Sequence, residues 1–118
     1  MRRAPPTTVI ETPEFLSVCR KLMDEAERGR LVDYLAANPT AGAIIRETGG
    51  VRKLRWGLEG RGKRGGARII YYHYNADFPL FALTAYAKNK REDLSPADRK
   101  SFKALVKTLI ETYARTRT

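Results

Sequence analysis

Apolar residues follow helical spacing toward both ends of the chain and alternation in its middle. Near the start, the β-branched run TTVIET (7–12) predicts a strand, and Thr12-Pro13 reads as an N-cap followed by a first helical position. Phe15, Val18, Cys19, Leu22 and Met23 then recur at i, i+3, i+4, i+7 and i+8, which is one face of that helix. A polar stretch (24–30) precedes Leu31, Val32, Tyr34 and Leu35, which predict a second helix ended by Asn38 and Pro39. The spacing leaves the boundary between these helices open. Residues 40–50 read as a connection, anchored by Ile44 and Ile45, that closes in a Gly49-Gly50 turn.

From Val51 the period becomes two. Val51, Lys53, Arg55 and Gly57 fall on one face, while Arg52, Leu54, Trp56 and Leu58 fall on the other, which is apolar apart from Arg52. ARIIYYHY (67–74) and LFALTAYAK (80–88) predict two further strands around the turn NADFP, so three consecutive strands suit an antiparallel meander. Tyr71, Tyr72 and Tyr74 sit on alternating faces, so at least one belongs to the core. Phe102, Leu105, Val106, Leu109, Ile110 and Tyr113 mark a C-terminal helix, and Ser95-Pro96-Ala97-Asp98 supplies its cap. The pattern predicts an α+β fold: an antiparallel sheet of about four strands, two N-terminal helices and one C-terminal helix. Length suits one domain over residues 1–118, with residues 1–6 as a disordered extension or an alternative start.

Charge changes this picture. Twenty-three Lys and Arg against 13 Asp and Glu leave +10, a field that attracts polyanions: nucleic acid, the ribosome, an anionic membrane or an acidic protein. No apolar run approaches the roughly 18 to 20 residues of a spanning helix. The start lacks the apolar core of a signal peptide, so a soluble, cytoplasmic protein is expected. Cys19, the only cysteine, has no internal disulfide partner and lies in an apolar stripe, which reads as a buried small side chain. One Cys and one His do not make a zinc site of the usual kind, and no metal or other cofactor is expected. His73 reads as structural or solvent-exposed, because acid-base work by histidine needs a positioned partner.

The stretch GRGKRGGAR (60–68) concentrates the charge. GLEGRGKR has the spacing of a Walker A loop, but Arg64 stands where that motif needs Ser or Thr for magnesium, and the segment leads into a strand. GRGKRG matches GxGxxG and fails for the same want of a following helix. What remains is a polyanion-gripping hairpin loop: glycines admit close approach of the backbone, and arginines offer planar phosphate donors. Residues 46–68 hold eight Lys or Arg against two Glu, a net +6. Lys53, Arg55 and Arg68 lie in strands, where converging cations repel unless an anion offsets them. Tyr86 and Lys88, one alternation apart, place a phenol and an ammonium on one face. Cations and a phenol suit RNA cleavage by the ribose 2′-hydroxyl, since the substrate brings its own nucleophile.

The segments GGVRKLRWGLEGRGKRGGARIIYYHY and FALTAYAKNKREDLS, within residues 49–98, resemble the HigB-like branch of the RelE/ParE superfamily of bacterial type II toxins. The resemblance implies an α+β fold and a metal-independent endoribonuclease that enters the ribosomal A site and cuts mRNA during translation. It also implies neutralisation by a cognate antitoxin, commonly a helix-turn-helix protein of the HigA kind. By this resemblance Arg68 would stabilise the phosphorane, and Tyr86 would orient the 2′-hydroxyl or stack on a base, with Lys88 its basic neighbour. Lys53 and Arg55 match the basic strand of the site; Arg52, Arg61, Lys63 and Arg64 would contact mRNA or ribosomal RNA. Lys90 stands where many relatives carry an acid, which removes that acid-base group. The rival within the superfamily is a ParE-like, gyrase-directed toxin, and outside it a non-catalytic RNA- or ribosome-binding module.

Overall fold

The structure, a computed structural model, describes residues 5–58, 62–88 and 93–116, with side chains over the same ranges save 62–65 and 116. The elements are β1 (Val9–Glu11), α1 (Pro13–Leu22), α2 (Glu25–Ala37), β2 (Ala43–Ile44), β3 (Val51–Leu58), β4 (Gly62–His73), β5 (Leu80–Ala87) and α3 (Pro96–Thr116). Each helix starts where a side chain meets its orphan amides. The Thr12 hydroxyl accepts from the Phe15 N–H (3.2 Å) and donates to the Leu83 carbonyl (3.1 Å), fixing α1 to β5. The Asp24 carboxylate accepts from the Glu27 N–H at 2.8 Å, so α2 begins inside the polar stretch, six residues before its first apolar position Leu31. Ser95 and Asp98 exchange reciprocal bonds at 3.1 Å and open α3 as the sequence predicts.

The strands form one mixed sheet in the order β1-β5-β4-β3-β2. β3, β4 and β5 are the antiparallel meander, whereas β1 pairs parallel with β5. The expectation of about four antiparallel strands is thus corrected to five described strands with one parallel pair. β2 is the strand missed: its two residues are both exposed and carry no alternation, and it pairs only with Arg52 and Lys53. A second correction concerns the glycine-rich stretch. β4 already begins at Gly62, so most of the predicted hairpin loop is strand backbone. Its pairing is irregular there: β3 advances from Trp56 to Leu58 while β4 runs from Ala67 back to Gly62.

Both faces of the sheet are covered. Phe15, Cys19, Leu31 and Leu35 of α1 and α2 pack on Leu54, Ile69, Tyr71 and Leu80. On the opposite face Val106 of α3 and Leu94 meet Val51, Ile70, Tyr72, Phe81 and Leu83. Tyr71 and Tyr72 are therefore both core residues on opposite faces, and Tyr74 is exposed. Cys19 is fully buried and burial pushes its thiol up to about 11, consistent with a packing role. Gly42 is required by a close approach: a Cβ there would stand 2.9 Å from the Tyr71 ring and 3.0 Å from the Lys53 carbonyl. Its N–H donates to the Tyr71 hydroxyl at 2.8 Å. No described helix is long and apolar enough to cross a membrane.

His73 is half-buried at the end of β4; burial first, and Arg52 second, hold its imidazole below the ordinary 6.5. The fold thus favours the neutral ring, and below the ordinary value the unfolded chain takes up the proton first. Stability is fully present above that value and is lost as pH falls from 6.5 toward the folded pKa. The midpoint of thermal unfolding should decline as pH falls below the ordinary 6.5, and His73→Gln should flatten that decline. An unchanged slope in the variant would assign the decline to other groups.

Candidate functional site

Strand register brings the predicted residues together. Arg55 of β3 pairs with Arg68 of β4, and Arg68 pairs with Tyr86 of β5, so the three form one row across the meander. Directly opposed residues share a face, which here is the α3 side. The Ile45 N–H donates to the Val51 carbonyl, so β3 turns the backbone groups of its odd positions toward β2. Arg55 and Arg68 therefore meet as a non-hydrogen-bonded pair, the geometry with Cα atoms only about 4.5 Å apart and side chains closest.

That is an unfavourable way to place two guanidinium groups. Among the described residues no carboxylate forms an ion pair with either. Arg68 is nonetheless 7% exposed, and among the described residues its side chain donates one hydrogen bond, from Nη1 to the neighbouring Ala67 carbonyl at 3.3 Å. Buried cations are ordinarily paired, and a nearly buried guanidinium with no carboxylate beside it among these residues has donors suited to an anion. Tyr86, 8% exposed, flanks it and is packed into the α3-side core.

Lys53 lies on the same face, one alternation from Arg55. Its Nζ is 3.5 Å from Asp93 Oδ1, while Arg99 donates to Asp93 Oδ2 at 3.0 Å. A hydrogen bond from the Leu94 N–H, followed by Lys53 and Arg99, holds the Asp93 carboxyl below the usual carboxylate range. Asp93 and Arg99 were not among the predicted site residues. Asp93 stood in the sequence only within the DLS stretch of the resemblance, two residues before the cap Ser95, and nothing local announces a contact across 40 positions.

The other predicted residues do not join the row. Arg52 is on the α1/α2 side of β3, where its NH1 donates to the Thr40 (3.2 Å) and Gly42 (2.7 Å) carbonyls and ties the connection to the strand. β5 stops at Ala87, so Lys88 is exposed in the tight turn that follows and is not placed by strand alternation, a correction to the predicted end of that strand. Arg61 and Lys90 lie outside the described residues, as do the side chains of Lys63 and Arg64. A groove of about 1140 Å³ with a mixed lining that includes Pro6, Ile10, Asn38, His73, Asp77 and Phe78 opens at the other end of β4. It lies about 17 Å along the strand from Arg68 and has no part in the row.

The arrangement puts two guanidinium groups and a phenol in one row across the sheet, with the Lys53 ammonium one alternation away. A protein-family model described as the RelE toxin of the RelE/RelB toxin-antitoxin system matches residues 37–116, which include every member of the row and the Lys53–Asp93–Arg99 link.

Proposed function

The chain belongs to the RelE toxin family of toxin-antitoxin systems, and on that premise we propose that it is a HigB-like, ribosome-dependent mRNA endoribonuclease. The observation that carries this reading is the in-register row Arg55–Arg68–Tyr86. In the proposed reaction the ribose 2′-oxygen attacks the adjacent phosphorus, the bond from phosphorus to the 5′-oxygen breaks, and a 2′,3′-cyclic phosphate and a 5′-hydroxyl result. The proton leaves the 2′-hydroxyl and one is delivered to the 5′-oxygen. Arg68 stabilises the charge that builds on the phosphorane oxygens, and Arg55 and Lys53 add to that field. Tyr86 orients the 2′-hydroxyl or stacks on a base, and Lys88 contacts the strand beyond it. The basic residues of the β3–β4 hairpin, Arg61, Lys63 and Arg64, hold mRNA or ribosomal RNA in the A site.

Family membership implies a cognate antitoxin partner; a helix-turn-helix protein of the HigA kind is the proposed form. In a reconstituted translation system the purified protein should cut mRNA that ribosomes are translating and leave free mRNA intact. Intact mRNA with undiminished translation would remove the reading. DNA damage in cells that continue to make protein would instead favour a gyrase-directed toxin.

A further inference from the structure

The charge of the protein is one-sided. Residues 1–37 hold six basic and six acidic residues, whereas residues 38–118 hold 17 and seven, so the whole excess of +10 lies in the latter part. Part of it forms the row; another part lies on α3. Lys100, Lys103 and Lys107 recur at i, i+3 and i+7 on one flank of that helix, and all three are exposed. Among the described residues none of them is in an ion pair.

The flank is placed against the site. The Lys103 Cγ is 3.7 Å from where a Cβ on Gly49 would stand, so it overlies the turn into β3; exposed Arg46 lies three residues before that glycine. Toward the helix start, Arg99 reaches Lys53 through Asp93. Positive charge thus runs from Arg55 through Lys53 and Arg99 to Lys103 and Lys107, the helical part covering about 12 Å at 1.5 Å per residue. Acids along this run among the described residues are Asp93, shared between two cations, Asp98 in the first turn of α3 beside Arg99, Glu47 in the turn, and Glu111 one turn beyond Lys107. Lysines on an exposed helix ordinarily only keep it soluble. Like charges at i, i+3 and i, i+4 cost helix stability, however, and these three continue a run that begins at Arg55 and Arg68, which no described carboxylate pairs.

We propose that this flank of α3 is a track for the phosphate backbone of the substrate RNA strand as it leaves the Arg55–Arg68–Tyr86 row, with Lys103 and Lys107 as its main contacts and Lys100 and Arg46 beside them. The inference rests on the RNA-cleaving reading and extends it from a point of contact to a path. Continuity with the row favours the cut strand itself over a separate RNA.

The test uses the full chain and single-stranded RNA in which every 2′-hydroxyl is replaced by a 2′-methoxy group, which removes the nucleophile and separates binding from cutting. Oligonucleotides of about 4 and about 16 nucleotides span the range from row alone to row plus track. Binding of the long strand should be more salt-dependent than that of the short one. In the double variant Lys103→Gln, Lys107→Gln, the slope of log affinity against log salt for the long strand should fall by about 1.4, at about 0.7 per lost phosphate contact. The short strand should be unaffected. A wild-type slope in the variant on the long strand, or no gain with length in the wild type, overturns the track. A length-dependent gain lost in the variant, from a protein that cuts no mRNA on ribosomes, keeps the track and removes the cutting reading.

Discussion

Arg68→Ala is expected to lower cleavage of ribosome-bound mRNA about a hundredfold to a thousandfold, the usual cost of removing one donor aimed at developing transition-state charge. The expectation follows from how the guanidinium is held. It is nearly buried in the middle of the longest strand, paired on one side with Arg55 and on the other with Tyr86. No carboxylate among the described residues is orphaned by the change, and relief of repulsion with Arg55 offsets part of the packing lost with the buried stem. Cleavage should therefore fall far more than stability, when both are measured at a temperature where the variant stays folded. Arg68→Lys keeps the charge and loses the planar fork, so it should recover only part of the rate. Wild-type cleavage by Arg68→Ala would show that the row is not the cutting centre.

How much of this was legible in the sequence differs by element. Helices with periodic faces and side-chain caps were readable, since Thr12 and Ser95 act locally and within three residues. The identity of the row was readable as residue types on strands, because alternation alone puts Arg55 with Lys53, and the tyrosines on both faces. Its alignment was not. Register depends on the irregular pairing between Trp56 and Leu58 and on the shift between Ile70 and Tyr71, and a one-residue slip would have turned Arg68 to the opposite face. Contacts that join distant segments, Lys53 with Asp93 and Gly42 with Tyr71, leave no periodic trace. Glycine-rich sequence was also misleading: without side-chain alternation, Gly62–Gly66 resembled a loop although its backbone continues β4.

On the proposed function, the two faces of β4 divide chemistry from stability. Arg68, Ile70 and Tyr72 look toward α3, whereas Ala67, Ile69 and Tyr71 look toward α1 and α2. Substitutions on the second face should act on folding before they act on chemistry, because no residue of the row touches that core. Tyr71 is the clearest case, since it both fills the core and serves a backbone group.

Tyr71→Ala should destabilise the protein by about 3–5 kcal/mol, as for other large aromatic truncations. That is a large share of the roughly 5–15 kcal/mol that holds a domain of ordinary stability together. Tyr71 is among the largest side chains with no exposure at all, and its hydroxyl accepts the buried Gly42 N–H. Tyr71→Phe separates the two contributions. It keeps the ring and leaves the Gly42 amide without its acceptor, at a cost of about 1–3 kcal/mol. The loss should be local as well as global. Gly42 leads directly into β2, and its carbonyl also receives Arg52, so amide exchange at Ala43 and Ile44 should accelerate in Tyr71→Phe more than exchange in the centre of β4. Urea midpoints for the two variants, measured with cleavage at a temperature where both stay folded, decide the matter. Tyr71→Phe should retain cleavage, because its hydroxyl lies on the far face of the sheet from Arg68. Equal stability of Tyr71→Phe and wild type would mean that water replaces the hydroxyl at Gly42, and that the edge formed by β2 is held by Arg52 and by the Ile45–Val51 bond instead.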